Sequence, residues 1–404
     1  MGVLGMRSMK NADMQGKKIV LRVDFNVPLN DEGEIIDDTK MRAALPTIKY
    51  ILGQNAAVII MSHLGRPDGK PQVKYSLKNV AGHLQGLLAM PVIMAEDSIG
   101  PAVQEQVERL QPGNILLLEN VRFYAEEEKN DPGHAKKLAA WGDIYINDAF
   151  GTAHRAHCST SGIAEFLPSY AGFLLEKEVN MLSKVLESPQ KPSMAILGGA
   201  KISDKLGLID NFLEHMEYIL IGGGMANTFI KALGYGIGSS LYDARFIGEA
   251  NILMLKAQNA GVKLLLPSDV VIAGEVSAEA EASVVNIDEV PADMKILDIG
   301  PRTIEMFEAA IKQAKTIIWN GPLGVYEYSQ FAQGTKQIAK VFAASDAVTI
   351  IGGGDSAAAV QDLGLEHDIT HISTGGGAAL EFLEGLQLPG VLACQNNVAA
   401  TVQL

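Results

Sequence analysis

Two sets of side chains in this 404-residue chain stand beside the ends of short apolar runs, and their chemistry differs. The first set is Arg22, Asp24, Asn26, His63, Arg66, Arg122, His154 and Arg155. Arginine grips carboxylate or phosphate with two parallel N–H bonds, so this set suits a small, multiply negative ligand. A lone arginine is ordinarily a solvated surface charge. Several Arg and His residues recurring after successive apolar runs favour an anion site instead. The second set is Lys201, Asp204, Lys205, Glu327, Asp355 and Ser356, with the glycine turn Gly375–Gly377. A carboxylate beside a glycine turn is a place for Mg²⁺ held between protein and phosphates. A lysine just past such a turn can follow a moving phosphoryl group. The plainer readings are a surface lysine at Lys201 and an N-cap at Asp355, and capping does not exclude metal binding.

These residues need a scaffold that brings strand ends together. In the first half Lys18–Phe25, Ala56–Met61, Asn114–Leu118 and Asp143–Ile146 read as strands, with helical stretches such as Arg42–Leu52, Leu77–Leu88 and Gly133–Trp141 between them. Alternating strands and helices predict a mostly parallel sheet covered on both faces, with ligands beyond the carboxyl ends of its strands. In the second half Met194–Leu197, Tyr218–Ile221, Thr316–Trp319, Val348–Ile351 and His371–Thr374 each run into a glycine-rich turn. Any one such turn is weak evidence, but five together point to a phosphate-binding rim. Lys263–Leu266 adds a strand, and Gly274–Asp293 reads as an acidic surface excursion. Between the halves Ala171–Pro189 has the apolar spacing of one broad helical face, closed by Pro189. The expected fold is therefore α/β, with two Rossmann-like domains joined by a connecting helix and a cleft between them. The expected boundaries are 1–170, 171–189 and 190–390.

Composition narrows the function classes. The net charge of −14 argues against nucleic acid as the main partner. The acidity is uneven: residues 1–170 are nearly balanced, with 18 Lys and Arg against 20 Asp and Glu, and they hold seven of the nine arginines. No apolar run is long enough to span a bilayer, and the N-terminal segment lacks a signal peptide's apolar core. The two cysteines, Cys158 and Cys394, form no disulfide framework and fit a cytoplasmic protein. Neither G-x-x-x-x-G-K-[ST] nor a complete G-x-G-x-x-G after a strand occurs, which weakens the P-loop and nicotinamide-dehydrogenase readings.

The motifs themselves resemble phosphoglycerate kinase over essentially the whole chain. They are RVDFNVP (Arg22–Pro28), SHLGRP (Ser62–Pro67), LLENVRF (Leu117–Phe123), NDAFGTAHRAH (Asn147–His157), LGGAK (Leu197–Lys201), IGGGMA (Ile221–Ala226), WNGPLGVYE (Trp319–Glu327), IGGGDS (Ile351–Ser356) and STGGGAALE (Ser373–Glu381). The resemblance implies a monomeric glycolytic enzyme that passes a phosphoryl group between 1,3-bisphosphoglycerate and ADP with Mg²⁺, by direct in-line transfer with domain closure. It implies that Asp24, Asn26, His63, Arg66, Arg122 and Arg155 hold 3-phosphoglycerate. Lys205, Gly223, Glu327, Gly353, Gly354, Asp355 and Ser356 would bind ATP or ADP, with Asp355 also at the metal. Lys201 and the turn at Gly376 and Gly377 would serve the phosphoryl group in transit.

Two departures stand out. Where the family reads DDTRIRAALPTI, this chain reads DDTKMRAALPTI, so Lys40 replaces an arginine that reaches the reacting end of the substrate. Lysine keeps the charge but loses the planar fork. A functional but slower enzyme is expected, the alternative being a substrate-binding homologue with impaired transfer. The tail from about 391 to 404 does not match the family pattern; in the family the C-terminus packs back on the first domain.

Overall fold

The computed structural model describes residues 5–395. They divide into two compact units, one running up to Asn180 and resuming at Gln387, the other Met181–Leu386.

The first unit is built on six strands: β1 (Lys18–Arg22), β2 (Ala57–Met61), β3 (Val92–Met94), β4 (Ile115–Leu117), β5 (Ile144–Asn147) and β6 (Ser169–Ala171). Their order is β3-β4-β2-β1-β5-β6, and every neighbouring pair is parallel. The two-residue period of the strands explains the layering. Ile19, Leu21, Val58 and Ile60 pack with Met41 and Ile48 of helix Thr39–Gly53 and with Leu84 of helix Lys78–Leu88. Val20, Ile59 and Tyr145 face the other way, against Val103, Val107 and Leu138 of helices Pro101–Arg109 and Pro132–Ala139. A sheet buried on both faces needs apolar residues at consecutive positions, which is why these runs look continuous rather than alternating. Each fully buried aliphatic side chain contributes about 1.5–3 kcal/mol. Strand β1 lies between β2 and β5, so the chain winds outward in both directions from it, and the crevice at its carboxyl end is a switch point.

The second unit repeats the plan with β7 (Ser193–Leu197), β8 (Tyr218–Ile221), β9 (Lys263–Leu265), β13 (Thr316–Asn320), β14 (Val348–Ile351) and β15 (His371–Ile372). The order β15-β14-β13-β7-β8-β9 puts the switch between β7 and β13. Strands β10 (Asp269–Ala273), β11 (Ser283–Asn286) and β12 (Lys295–Ile299) form a separate antiparallel sheet in the order β11-β10-β12. The stretch 274–293 is exposed or half-buried throughout, as an acidic surface excursion should be, and it also carries strand β11. Val284 and Val285 pair there with β10. Small and acidic neighbours on an edge strand hide the usual apolar signal.

The helix between the halves runs Phe173–Glu187, and the division of the units falls inside it. Its start is capped by Asp148, whose Oδ1 accepts from the Leu174 and Leu175 amides at 2.8 and 3.2 Å. The described part of the C-terminal segment returns to the end of β5. Gly390 N donates to Ala153 O at 2.8 Å, and Asn147 Nδ2 donates to Gly390 O at 3.1 Å. The tail from residue 396 lies outside the described residues.

Candidate active site

At the carboxyl end of β1, Val23 and Phe25 enter the core and leave Asp24 and Asn26 at the sheet edge. Side chains then tie this loop to its neighbours. Phe25 N donates to Ser62 Oγ at 2.9 Å, and Gly65 N donates to Asn26 Oδ1 at 2.8 Å, which joins the loops after β1 and β2. Asn120 Nδ2 donates to Leu64 O at 2.7 Å while its Oδ1 accepts from Arg122 N at 3.0 Å, which adds the loop after β4. Three loops distant in sequence thus share one set of hydrogen bonds.

A cationic cluster stands on this frame. Lys40, from helix Thr39–Gly53, places its Nζ 2.9 Å from Asp24 Oδ2. Arg42 is turned to Asp38, with Nε donating to Oδ1 at 2.7 Å. Arg122 donates from Nη1 to Gly65 O at 3.1 Å. Its Nε lies 3.2 Å from Glu128 Oε1 but is not aligned for a hydrogen bond, so the pair is Coulombic. Arg155 is exposed and donates from Nε to His154 Nε2 at 3.2 Å. Arg66 is exposed with no hydrogen-bond or ion-pair partner among the described residues. Arg22 differs from these. It is fully buried and its guanidinium is engaged within the protein, by Ser159 Oγ, Val23 O and His63 Nδ1. The structure therefore makes it a strut of the site rather than a hand held out to a ligand.

The electrostatics follow from burial among cations. Burial, then Arg22, Arg122 and Lys40, hold the His63 imidazole well below its ordinary range. Burial, then Arg122 and Arg22, lower His157 to about 3. Both rings are neutral at pH 7, so the positive charge resides on lysine and arginine. Burial also lowers Arg122, and Arg22 acts in the same direction. An anion placed here meets fixed positive charge and neutral donors, a preorganised setting for a multiply charged acid.

Along the carboxyl ends of the second sheet's strands the glycines divide into two kinds. Gly223, at φ 66°, leaves room for backbone: a Cβ there would lie 2.8 Å from Gly199 N and O. It is a glycine of close approach between the turns after β7 and β8. Gly354 meets nothing within 4 Å and opens helix Gly354–Gln361, with Gly353 as its N-cap. Gly376 is likewise open, at φ 51°, just before helix Gly377–Leu383.

Lys201 is exposed past the turn after β7. Lys205 donates from Nζ to Asn320 Oδ1, and Asn320 in turn donates from Nδ2 to Gly352 O. Ser356 is fully buried, its Oγ accepting from Gly321 N at 2.6 Å. These bonds lock the turns after β13 and β14 together. Burial pulls the Lys205 ammonium down, against the fields of Asp204, Asp355 and Glu384. Glu327 is exposed and, with Asp362 and Asp355, adds to the burial that raises the Tyr326 phenol. Asp355 is exposed in the first turn of helix Gly354–Gln361, its carboxylate unpaired among the described residues. Such a hard oxygen donor fits Mg²⁺ shared with phosphate oxygens, the usual mode for this ion. Among the described residues no group of three or more His, Cys, Asp or Glu is arranged to hold a metal.

The structure brings together Asp24, Asn26, Lys40, His63 and Arg122 by direct bonds or short contacts, and places Arg66 and Arg155 on the adjoining loops. It also brings in residues that sequence reasoning left without a role: His157, Ser159, Glu127 and Asn320. His157 ends the quoted NDAFGTAHRAH stretch, and Asn320 lies inside WNGP, so motif membership was a signal for both. Glu127 and Ser159 gave none, because their link spans 32 residues of chain.

Comparison with known proteins identifies the family. The family model described as phosphoglycerate kinase matches residues 9–386. A phosphoglycerate kinase from Herpetosiphon aurantiacus is 53% identical over 394 residues, covering 98% of this chain and 100% of the relative. One from Chloroflexus aurantiacus is 52% identical over 398 residues, covering 97% and 100%. The solved phosphoglycerate kinase of Coxiella burnetii superposes with a TM-score of 0.88 at 42% identity, covering 96% of this chain and 98% of that one. That of Pyrococcus horikoshii gives 0.80 at 35% identity, with the same coverage. With matches of this extent in sequence and in structure, the chain belongs to the phosphoglycerate kinase family.

Proposed function

We propose that this protein is an ATP:3-phosphoglycerate 1-phosphotransferase, passing a phosphoryl group reversibly between 1,3-bisphosphoglycerate and ADP. The observation that carries the reading is the cationic cluster around Asp24 at the carboxyl end of the first sheet, in a chain that also sets Lys201 after β7 and Asp355 after β14 of the second. Arg66, Arg122 and Arg155 would grip the phosphate and carboxylate of 3-phosphoglycerate, with Asp24, Asn26 and His63 taking its polar groups. The acceptor is a carboxylate, already ionised at pH 7, so no general base is required. Its oxygen attacks the γ-phosphorus in line, the bond to the bridging oxygen breaks, and ADP carries the electron pair away. Lys201 and Lys40 would neutralise the transferring oxygens, with backbone N–H groups at Gly376 and Gly377.

On the nucleotide side, Lys205, Glu327, Gly353, Gly354, Asp355 and Ser356 would line the site, while Gly223 serves it by letting two turns meet. Asp355 would hold Mg²⁺, which when bound supplies charge neutralisation between the phosphates. Reacting atoms must come within about 3–3.5 Å. The reading therefore includes closure transmitted through helix Phe173–Glu187, and a monomeric, cytoplasmic enzyme of glycolysis. Impaired transfer in a binding homologue is the second reading, favoured by one observation: the Lys40 ammonium is already paired with Asp24. Coupled measurement of ADP formation from MgATP and 3-phosphoglycerate separates the two. Turnover supports the first; binding of both ligands without turnover supports the second.

A further inference from the structure

The His63 ring presents a question of proton placement. Its Nδ1 is 3.3 Å from Arg22 Nη2. A guanidinium only donates, and it keeps its proton at any working pH, so Nδ1 accepts. The competing arrangement, Nδ1–H donating to Asp24, is ruled out by the 3.9 Å separation from Asp24 Oδ1. The single proton of the neutral ring is therefore on Nε2.

Arg22 is itself held in place. Its Nε donates to Ser159 Oγ at 2.8 Å. Ser159 donates from Oγ to Glu127 Oε1 at 2.5 Å, and from its amide to Oε2 at 3.0 Å. Arg22, Ser159 and Glu127 are fully buried, and His63 is 3% exposed. The line Glu127–Ser159–Arg22–His63 thus runs from a helix beyond β4 through the interior to the substrate edge. The ring faces charge from several elements: Arg22 on β1, Arg122 after β4, Lys40 on helix Thr39–Gly53, and Asp24, with the neutral ring of His157 after β5 also nearby. Cations outnumber the single carboxylate, so a charged imidazole is disfavoured.

We propose that Glu127, Ser159 and Arg22 are positioning residues that fix His63 as the neutral Nε2–H tautomer, so that it gives one directed hydrogen bond to 3-phosphoglycerate without titrating. The proposal rests on the substrate reading above and deepens it. A neutral donor lets the site hold its ligand equally well as pH drifts through the range where a free histidine would change charge.

Nitrogen NMR of ¹⁵N-histidine-labelled full-length protein, with His63→Gln for assignment, tests this directly. The expected result is an unprotonated Nδ1 and a protonated Nε2, unchanged from pH about 5.5 to 8. A proton on Nδ1, or a charged ring at neutral pH, overturns it. Ser159→Ala is the conservative break in the line. It should let His63 exchange tautomers and raise the KM for 3-phosphoglycerate by roughly threefold to tenfold, with the KM for ATP unchanged. An unaltered tautomer and KM in a folded Ser159→Ala protein also overturns the proposal. His63→Gln, whose amide nitrogen falls near Nε2, should retain tighter substrate binding than His63→Asn, whose amide falls near Nδ1; the reverse order contradicts it. Failure of the substrate reading has a different signature: the Nε2–H tautomer present, and no binding of 3-phosphoglycerate by wild type.

Discussion

The ammonium of Lys40 and the carboxylate of Asp24 lie 2.9 Å apart at the edge of the first sheet, with the Asp24 side chain only 8% exposed. A single point charge therefore neutralises a nearly buried acid, at the position where the family resemblance implies an arginine. A guanidinium has donors to spare after such a pairing, whereas a half-buried ammonium has few.

That difference sets the first expectation. Lys40→Arg should raise kcat by severalfold, because the planar fork can hold Asp24 and still reach a substrate oxygen. Lys40→Ala should lower kcat/KM by at least about tenfold, since it removes a cation and leaves Asp24 unpaired. Steady-state kinetics of the two variants check this. Identical kinetics for wild type and Lys40→Arg would show that the exchange is neutral.

Asp355 supplies the second. Its exposed carboxylate carries no structural bond to another described residue, so Asp355→Asn should leave the denaturation midpoint nearly unchanged. The KM for MgATP should rise by about tenfold or more, and the free-Mg²⁺ concentration needed for half-maximal rate should rise with it. Kinetics over a magnesium titration, with chelator as the zero point, provide the measurement.

Neutral burial of His157 makes the third, a pH effect on stability. Its folded pKa, about 3, is below its ordinary 6.5, so its contribution is complete above pH 6.5 and is lost as pH falls. The slope is at most about 1.4 kcal/mol per pH unit. Asp148 and Asp298, both raised to about 7 by burial, act in the opposite sense: their contribution is greatest below pH 3.8 and is lost as pH rises toward 7. Comparison with His157→Asn isolates the histidine. Wild type should lose more stability than the variant between pH 6.5 and 5, read from urea unfolding midpoints. Parallel pH profiles would refute the assignment.

Much of this was legible in the residues, for physical reasons. The core strands of both sheets are continuous apolar runs because they are buried on two faces, and their ends announce themselves with glycine or charge. Strand β6, three residues long, and β11, on a thin antiparallel edge, lack that contrast. Among the candidate residues, Lys201 follows the turn after β7 and Asp355 opens a helix after a glycine turn, placements that the local sequence showed. The engagement of Arg22 is different: whether an arginine is a strut or a ligand depends on Ser159 and Glu127, which reach it only through the fold. Spacing likewise cannot tell a glycine of close approach, such as Gly223, from an open one such as Gly354.

The central claim is that Lys201 serves the phosphoryl group in transit and contributes little to holding either ground-state ligand. Turnover of 1,3-bisphosphoglycerate and ADP should therefore be measured for wild type beside Lys201→Met, with dissociation constants for 3-phosphoglycerate and ATP from calorimetry. Wild type should form ATP, and Lys201→Met should lose at least about a hundredfold in kcat with both dissociation constants within about threefold. An inactive wild type, or a Lys201→Met protein that turns over undiminished, would contradict it.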